Sequence, residues 1–453
     1  MNLRLFYILL LGILIVNLTA CDDDDVISMV TSGEEIITLD VPMESVSFQG
    51  GKTLALQIGL GSGAFHYRDD PTDEIYTITD RGPTIDCDKS EELIGKANFC
   101  MNNGAVDEDG KIFPVANFTP TIYKLNIDTG GLIGAKVGYE VTQTIEIKDS
   151  DGKKISGLPN PLQVTNTENA YDNKGDKKAF DPNGLDPEAI IRLFNGSFWI
   201  AEEYAPSLVH LTADGRIMER LVPSGVENDL TEANYLVRGI LPAILKKRQL
   251  DRGIEALAIS PDEQFLYFIM AGPLANPDQA AYEKSRYVRL FKLSLQEDIP
   301  KVMGEYVYML DTHDTFWDNT TKQSDVKISE MVALDTDKLI ILEHVHRHTK
   351  LYRVSILDSG SNIVDQQWDE ESRSPSLETV QNLEEHGIEL LDKKRVFDSS
   401  KEQTDLAVGI EGIAILDDEY LAFINDNDFG IDRSIDDSKT RIKVAKIVKQ
   451  LSE

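Results

Sequence analysis

Short runs of β-branched and aromatic residues, separated by Gly, Asp, Asn and Pro, dominate the chain after about residue 35. Helical periodicity is scarce there, so the pattern predicts an all-β fold built from short strands. Five stretches share the same sequence of features. Each begins with a polar residue and a short strand of small apolar residues, followed by a turn and a second apolar strand. These hairpin-like units cover residues 62–80, 188–202, 255–270, 330–343 and 411–425.

Further strand-like sequence follows each unit, at residues 121–127, 207–211, 287–295, 350–357 and 441–447. Three or four short strands per unit predict a β-propeller with five legible repeats, and the small residues of each first strand suit its crowded centre. A sixth blade could be assembled from residues 33–60 and the C-terminal strands. We expect short helical or irregular insertions at residues 225–250 and 370–400.

The first twenty residues predict export rather than a domain. Arg4 precedes an apolar run at residues 5–18, and the stretch Leu18-Thr19-Ala20-Cys21 resembles a bacterial lipobox. We therefore expect a lipoprotein signal peptide at residues 1–20, lipidation of Cys21 and an acidic tether at residues 21–35. A single domain would fill residues 36–453, anchored by its lipid to a bacterial cell envelope on the extracytoplasmic side.

Two further cysteines, Cys87 and Cys100, remain in this exported chain. Because export leads to an oxidising compartment, we predict that they form a disulfide. Closing so short a loop would contribute about 3 kcal/mol to the free energy of unfolding.

The charge of the chain limits its partners. Lys and Arg number 45 against 78 Asp and Glu, giving a formal net charge of −33. No basic cluster is present, so nucleic-acid binding is not expected. The acidity is compatible with cation binding or with solubility alone. The chain lacks the Gly-x-Ser-x-Gly motif of serine hydrolases, which leaves Ser62 as a stray candidate nucleophile.

Acidic residues recur where the paired strands of the units begin and end. Glu188 pairs in this way with Glu202, Glu330 with Glu343, and Glu411 with the Asn425-Asp426 dipeptide. Radial repetition would gather these groups at one mouth of a channel, where oxygen ligands suit Ca²⁺. An alternative is that each acid caps a neighbouring strand and has only a structural role.

Other polar residues give weaker indications. Arg81, Arg252 and Arg289 lie near the same predicted strand ends, so together with a metal they favour a phosphate-ester site. His344, His346 and His348 alternate and would share one face of a strand, which allows metal binding or a polar edge. The Gly59-Leu60-Gly61-Ser62-Gly63 stretch could hold a phosphate or allow close strand packing.

Several of these motifs resemble one known family. The motifs, in chain order, are Thr79-Asp80-Arg81-Gly82-Pro83, Asp186-Pro187-Glu188-Ala189, Ala201-Glu202-Glu203-Tyr204, Arg252-Gly253-Ile254-Glu255-Ala256, Ile410-Glu411-Gly412 and Asn425-Asp426-Asn427-Asp428-Phe429-Gly430. They resemble the bacterial phytase-like family, also called "esterase-like activity of phytase", over roughly residues 50–445. The resemblance implies a propeller-like domain whose recurring acids carry phosphoesterase chemistry. The histidine-rich stretch after Glu343 departs from this pattern.

The leading hypothesis is therefore a phytase-like, metal-assisted phosphate-ester hydrolase that acts as a monomer on a small anionic ester, with the membrane contacted only through the lipid. The expected ligands of Ca²⁺ or a similar cation are Glu188, Glu255, Glu330, Glu411, Asp426 and Asp428. The expected catalytic residues are Asp80, Arg81, Glu202, Glu203 and Arg252, with the arginines binding phosphate. A non-catalytic propeller that binds a ligand or a partner protein, and a carboxylic esterase, stay open as alternatives.

Overall fold

The computed structural model of the chain describes residues 36–128, 138–401, 406–431 and 438–446. The predicted signal peptide, the lipidation site Cys21 and the acidic tether lie outside these residues. Strands dominate the described chain, and each of the five predicted hairpins forms part of a sheet of four or five strands. The prediction of a mostly β structure is confirmed.

The first part of the chain forms one four-stranded sheet and a smaller subdomain beside it. Its elements are β1 (Ile36–Leu39), β2 (Val46–Ser47), β3 (Thr53–Leu54), β4 (Gly63–Phe65), β5 (Glu74–Ile78), β6 (Ile85–Asp86), α1 (Ser90–Ile94), β7 (Met101–Asn102), β8 (Ala105–Val106), β9 (Lys111–Ile112), β10 (Thr121–Asp128), β11 (Gly138–Glu146) and β12 (Ala170–Tyr171). The four-stranded sheet has the order β11-β10-β5-β4, whereas β12, β9 and β6 form a separate three-stranded sheet.

The second and third sheets follow directly. The second has the order β13-β14-β15-β16-β17, formed by Pro187–Arg192, Phe198–Glu202, Ser207–Leu211, Ile217–Pro223 and Leu236–Leu241. The third has the order β18-β19-β20-β21, formed by Ile254–Ile259, Phe265–Met270, Tyr287–Ser294 and Lys301–Met309. Helix α2 (Gln279–Lys284) lies between β19 and β20, and its N-cap Asp278 accepts a hydrogen bond from the Ala281 amide.

The last two sheets complete the described chain. The fourth has the order β22-β23-β24-β25, formed by Lys327–Asp335, Lys338–Val345, His348–Ser355 and Lys393–Asp398. The fifth contains β26 (Ile410–Ile415), β27 (Tyr420–Asn425) and β28 (Thr440–Lys446), and β1 joins it beside β28. Short 3-10 helices occupy the connections, at Cys87–Lys89, Val226–Asn228, Ala243–Lys247, His313–Thr315, Gln323–Asp325, Gln367–Asp369, Leu377–Thr379, Glu384–His386 and Asp428–Gly430.

The first strands of the five sheets contact one another in a closed order. Strand β4 contacts β13, β13 contacts β18, β18 contacts β22, β22 contacts β26, and β26 contacts β4. Buried aliphatic and aromatic side chains fill the spaces between neighbouring sheets. All five first strands begin at the same end of this arrangement, and the second strand of each hairpin finishes there. We call this end the mouth end.

Small residues explain how these strands approach so closely. A Cβ atom on Gly63 would lie 2.8 Å from the Ala189 Cα atom, and one on Gly412 would lie 2.9 Å from the Ala64 Cβ atom. These distances are too short for any larger side chain without movement of the backbone. The small residues expected for crowded inner strands therefore have a direct steric cause.

Residues at the two ends of the chain join one sheet. Ile36 pairs with Lys443 and Leu39 with Thr440, so β1 runs towards the mouth end as it enters the fifth sheet. The expectation that residues 33–60 and the C-terminal strands form a sixth blade does not match this pairing. Strand β1 instead supplies the outer strand that β26, β27 and β28 lack.

The small subdomain after β5 contains the predicted disulfide. Cys87 and Cys100 are bonded, with their Cα atoms 5.9 Å apart, and both lie in a buried cluster with Phe48, Phe99 and Tyr171. The prediction of this disulfide is confirmed. Strand β9 lies in the same subdomain, and its pairing with β6 carries Lys111 towards the mouth end.

Candidate functional site

A β-bulge in the first strand of four sheets places one residue out of the regular pairing. Pro187 pairs with Glu202 and Ala189 with Ala201, so Glu188 has no partner across the strand. The same irregularity sets apart Glu255, Ser329 and Glu411. Bulges re-aim a side chain, and Glu188, Glu255 and Glu411 all line one pocket at the mouth end.

A second set of acids follows the second strand of three hairpins. Counting from the pairing registers, Asp80, Glu203 and Asp426 occupy equivalent positions in the first, second and fifth sheets. All three line the same pocket. In the fourth sheet the equivalent residue is His344, and its Nε2 atom lies 2.7 Å from the Ser329 hydroxyl. That sheet therefore supplies a Ser–His pair at the two positions where the second and fifth sheets supply acids.

The pocket is small and strongly acidic. Its cavity measures about 140 Å³, and nine acids and four basic residues line it together with Thr84. The acids are Asp80, Asp186, Glu188, Glu203, Asp251, Glu255, Glu411, Asp426 and Asp428, and the basic residues are Arg81, Lys111, Arg252 and Lys327. The lining thus carries five more acidic than basic groups, which favours the binding of cations.

Arg81 and Lys111 neutralise one side of the pocket. The Arg81 guanidinium lies 3.4 Å from Asp186 and 3.5 Å from Asp251, and the Lys111 ammonium lies 2.5 Å from Asp251. Burial alone would raise the pKa of Asp251, but the Lys111 and Arg81 charges hold it below its ordinary range. Asp251 is therefore a stable anion.

Lys327 and Arg252 lie on another side. The Lys327 ammonium is 2.9 Å from Glu411 and 4.0 Å from Glu255, and Arg252 lies 3.7 Å from Glu203. Among the residues that the structure describes, the Arg252 Nε–H has no hydrogen-bond acceptor although it is buried. A buried donor without an acceptor is costly, and this one belongs to a group that binds anions well.

Burial and mutual repulsion raise the pKa of most pocket acids. Burial is the largest cause in each case. Repulsion by Asp426 adds to it at Asp80, and repulsion by Asp186 adds to it at Glu188. Both pKa values rise well above the ordinary range, as do those of Glu203 and Asp426. The pKa of Asp186 rises to about 8 despite Arg81, and that of Glu255 to about 7 despite Lys327.

Three pocket acids lie close enough to share a metal ion. Asp186, Glu203 and Asp251 each offer an oxygen within 4.8 Å of the others. Two further oxygens are also suited to a cation. Within the described chain no hydrogen-bond donor reaches Glu255 Oε2 or Asp426 Oδ1, although Glu255 is 3% and Asp426 5% exposed. The donor set contains only hard oxygen ligands, which fits Ca²⁺.

Two of the sequence-predicted residues lie outside the pocket. Glu202 is fully buried, and its carboxylate accepts hydrogen bonds from Arg220, from the Ser207 hydroxyl and from backbone amides after β14. Glu330 pairs regularly with Leu342 and accepts hydrogen bonds from the amides of Ala64 and Met331. Neither carboxylate faces the cavity, so the expected catalytic role of Glu202 and the expected metal-binding role of Glu330 do not match their positions.

The predicted arginines also differ from one another. Arg81 lies between the rings of Phe113 and Tyr204, and it donates to Glu168 and to the Gly157 carbonyl. Its donors are engaged by the protein, which argues against a phosphate contact. Arg289 lies away from the pocket, bonded to Glu305, Glu378 and Asp369, where it holds the insertion after β24 against the third sheet.

The histidine and glycine motifs have structural explanations. His344 is the second-last residue of β23 and His348 begins β24, with a tight turn at residues 346 and 347, so the three histidines do not share one strand face. The Nε2 atom of His348 lies 2.8 Å from Asp398. A Cβ atom on Gly61 would overlap the Asn425 carbonyl oxygen at 1.9 Å. Close packing, rather than a phosphate cradle, accounts for that glycine.

Four charged pocket residues were not among the predicted ones: Lys111, Asp186, Asp251 and Lys327. Asp186 lies two residues before Glu188 and Lys327 two residues before Ser329, so they occupy the same position in their sheets. The third and fifth sheets have Gly253 and Gly409 at this position, so no repeated residue type marks it in the sequence. Lys111 and Asp251 come from connections, and no repeat marks them.

A family model described as "Phytase-like: Esterase-like activity of phytase" matches residues 60–429. One curated relative, an "Uncharacterized secreted protein" from Arthroderma benhamiae, is 26% identical over 140 residues, covering 28% of this chain. The match spans only 27% of that relative's length.

Solved structures resemble the chain only distantly. The PQQ-bound aldose sugar dehydrogenase of Streptomyces coelicolor is 8% identical with a TM-score of 0.31, covering 92% of this chain and 99% of its own. The periplasmic gluconolactonase of Pseudomonas aeruginosa is 7% identical with a TM-score of 0.26, covering 89% and 96%. Likeness at this level says nothing about the chemistry of this chain. No helix in the described residues is both long and apolar enough to cross a membrane.

Proposed function

Because the chain belongs to the phytase-like family, whose model matches residues 60–429, we propose that it is a metal-assisted phosphate-ester hydrolase acting at the acidic pocket. One observation carries the proposal. Glu255 and Asp426 each have a buried carboxylate oxygen that no donor of the described residues reaches, and these oxygens share a cavity with the buried Arg252 Nε–H, which has no acceptor among the same residues. The oxygens are suited to binding a cation, and the Arg252 donor is suited to binding an anion.

The charge of the pocket makes the cation a requirement. When the acids are ionised, nine of them against four basic residues would repel an anionic phosphate. A bound Ca²⁺ or similar ion would offset that charge, hold a phosphate oxygen and polarise the phosphorus towards attack. We therefore expect no ester to bind to the metal-free protein.

Residues of the chain would bind the phosphate, accept a proton from water and hold the acids in position. The Arg252 Nε–H can donate to a phosphate oxygen, and the planar guanidinium suits that contact. Glu203 lies 3.7 Å from Arg252, where a carboxylate could accept the proton of an attacking water. Arg81 and Lys111 fix Asp186 and Asp251 in place through their ion pairs.

The size of the cavity limits what enters it. A volume of about 140 Å³ corresponds to only a few water molecules at about 30 Å³ each. The phosphoryl group would enter while the rest of the ester stays outside. We propose that the five sheets are the blades of a closed five-bladed propeller with this pocket at the mouth of its channel, since the first strands contact one another in a closed order.

The predicted location completes the proposal. Lipidation of Cys21 would anchor a monomer to a bacterial envelope, facing a small anionic ester on the extracytoplasmic side. Residues 36–453 would act as one domain.

Two other functions can be compared with the phosphate-ester hydrolase. A non-catalytic binding propeller is favoured by Glu202 and Glu330, which show that some of the repeated acids serve packing alone. A carboxylic esterase would need a base beside Ser62. The Ser62 hydroxyl is buried, and no hydrogen-bond partner reaches it within the described residues.

The test measures hydrolysis of phosphomonoesters, phosphodiesters and acyl esters with Ca²⁺ and with EDTA. We expect phosphate-ester cleavage that EDTA abolishes and that Glu203→Gln lowers by about 10²-fold or more, with Ser62→Ala as the control of unchanged rate. Ca²⁺ binding without cleavage of any ester would favour the binding module. Acyl-ester turnover that Ser62→Ala removes would favour the esterase.

A further inference from the structure

A second and larger cavity lies apart from the acidic pocket. It measures about 750 Å³, against about 140 Å³ for the pocket, and the two linings share no residue. Its walls include the outer strands of the second and third sheets, because Ile240 and Leu241 of β17 and Lys301 and Val302 of β21 line it. Cavities that bind small molecules usually measure about 300–1,000 Å³. This cavity, which we call the side cleft, therefore has the size of a ligand site.

Two insertions into the strand repeat meet at the side cleft. One is the segment at residues 225–250, and the other is the long connection between β24 and β25; both contribute residues to the lining. Glu371 of the connection forms ion pairs with Lys246 and Lys247 of the segment, each at 3.2 Å, which joins the two insertions. Loops held on a rigid scaffold often carry binding residues. The position of the cleft therefore favours a role beyond packing.

The side cleft combines an apolar wall with an excess of acids. Ile240, Ile299 and Val302 form the apolar wall and are partly exposed to solvent. The charged residues of the lining are Glu297, Lys301, Asp365, Asp369 and Glu370. Four acids against one lysine favour a ligand with positive charge. Among the described residues, the acids spaced closely enough to share a metal ion lie in the acidic pocket, so an organic cation suits the cleft better than a metal ion.

Asp369 connects the side cleft to a buried cluster that has more acids than cations. The Arg289 guanidinium is 1% exposed and lies 3.2 Å from Asp369, 2.5 Å from Glu305 and 3.2 Å from Glu378, so three carboxylates share one arginine. Glu305 is fully buried, and no donor of the described residues reaches its Oε2 atom. Burial raises the pKa of Glu305 to about 8 despite the Arg289 charge, and repulsion by Asp369 adds to the rise. The cluster can therefore accept one more positive charge.

We infer that the side cleft binds a small organic cation, an ammonium or guanidinium group on an apolar body, with the charged group at Asp369 and the body against Ile240, Ile299 and Val302. Asp369 is the member of the buried cluster that lines the cleft, and its side chain is 19% exposed. Hydrogen bonds between two charged groups are stronger than neutral ones. The apolar body would cover Ile299, which is 47% exposed. The inference goes beyond the proposed function, because it concerns a separate cavity.

The test is calorimetric titration of the full chain with 4-phenylbutylamine, beside 4-phenylbutan-1-ol as the uncharged ligand with the same body. We expect the amine to bind about 10-fold more tightly than the alcohol, because only the amine carries a charge to Asp369. Asp369→Asn should remove most of that difference, and Ile299→Ser should lower the affinity for both ligands. Asp109→Asn makes the same change to an exposed acid outside both cavities and should bind like the wild type.

Glu370→Gln separates a lost ligand from a lost fold. It changes an exposed acid of the side cleft, so it should lower the amine affinity by about twofold to fivefold and leave the melting temperature unchanged.

Three results would overturn the inference. They are equal affinity for the amine and the alcohol, an amine affinity unchanged in both Asp369→Asn and Glu370→Gln, and loss of amine binding in Glu188→Gln with binding kept in Asp369→Asn. The last result would place the amine in the acidic pocket. Each of them would leave the hydrolase proposal standing, and a protein that cleaves no phosphate ester would leave the side cleft as a binding site.

Discussion

Glu330 occupies a position that the other four sheets fill with small residues. By pairing register its equivalents are Gly63, Ala189, Ala256 and Gly412. The fourth sheet thus places a carboxyl group in the space that the small residues leave. Its oxygens accept the amides of Met331 and of Ala64, which belongs to the first sheet. Burial raises the pKa of Glu330 well above its ordinary value, although these amides oppose the shift.

We expect Glu330→Ala to lower the free energy of unfolding by about 1–3 kcal/mol, because it leaves buried amides without an acceptor. Glu330→Gln should cost less, since its amide oxygen still accepts. Urea unfolding measures both changes. Neither variant should alter Ca²⁺ affinity, and a loss comparable to that of Glu188→Gln would show that Glu330 is a metal ligand after all.

At the scale of elements, the hydrophobic pattern predicts the five hairpins well, and the register of each hairpin poorly. The second unit is typical, because apolar residues from Phe198 to Ala201 face a strand that starts at Pro187. A bulge adds one residue that no alternation of apolar and polar residues reveals. Alignment on the acid therefore equates Glu330 with Glu188, whereas the equivalent residue is Ser329.

A sequence signal for the register was nevertheless present. A small residue follows each bulge acid, namely Ala189, Ala256 and Gly412, whereas Met331 follows Glu330. The same one-residue error in register made Glu202 a predicted catalytic residue beside Glu203. Lys111 and Asp251 could not be placed from the sequence, because their positions depend on how connections fold back over the mouth end.

The disulfide lies in the same subdomain as Lys111. We expect Cys87→Ser to lower the free energy of unfolding by about 3 kcal/mol, because the bond closes a short loop in the unfolded chain. Thermal melting measures the change. Reducing agent should bring the wild type down to the melting temperature of the variant and leave the variant unchanged. A wild-type melt insensitive to reduction would contradict this account.

For the whole molecule, the acidic pocket predicts an unusual pH dependence of stability. The pKa values of Asp186 and Glu255 rise to about 8 and about 7 on folding, above ordinary values near 4. Between the ordinary and the raised pKa values, the folded state therefore binds more protons than the unfolded state. The free energy of unfolding consequently rises as the pH falls from 8 towards 5.

We expect the melting temperature in EDTA to rise over that pH range. Saturating Ca²⁺ should flatten the rise, because the ion replaces the protons as the partner of the acids. Scanning calorimetry in matched buffers measures both curves, and Glu108→Gln, which changes an exposed acid outside the cavity, serves as the control. A melting temperature that falls steadily from pH 8 to pH 5 in EDTA would contradict the repulsion described for the pocket.

The direction of β1 has a consequence for an anchored protein. Leu39 lies nearer the pocket than Ile36, so the polypeptide enters its sheet from the side remote from the acids. If Cys21 carries the proposed acyl chains, the bilayer would sit beneath that remote side. The acidic pocket would then open towards the surrounding fluid, and we expect it to bind dissolved solutes rather than the headgroups of its own membrane.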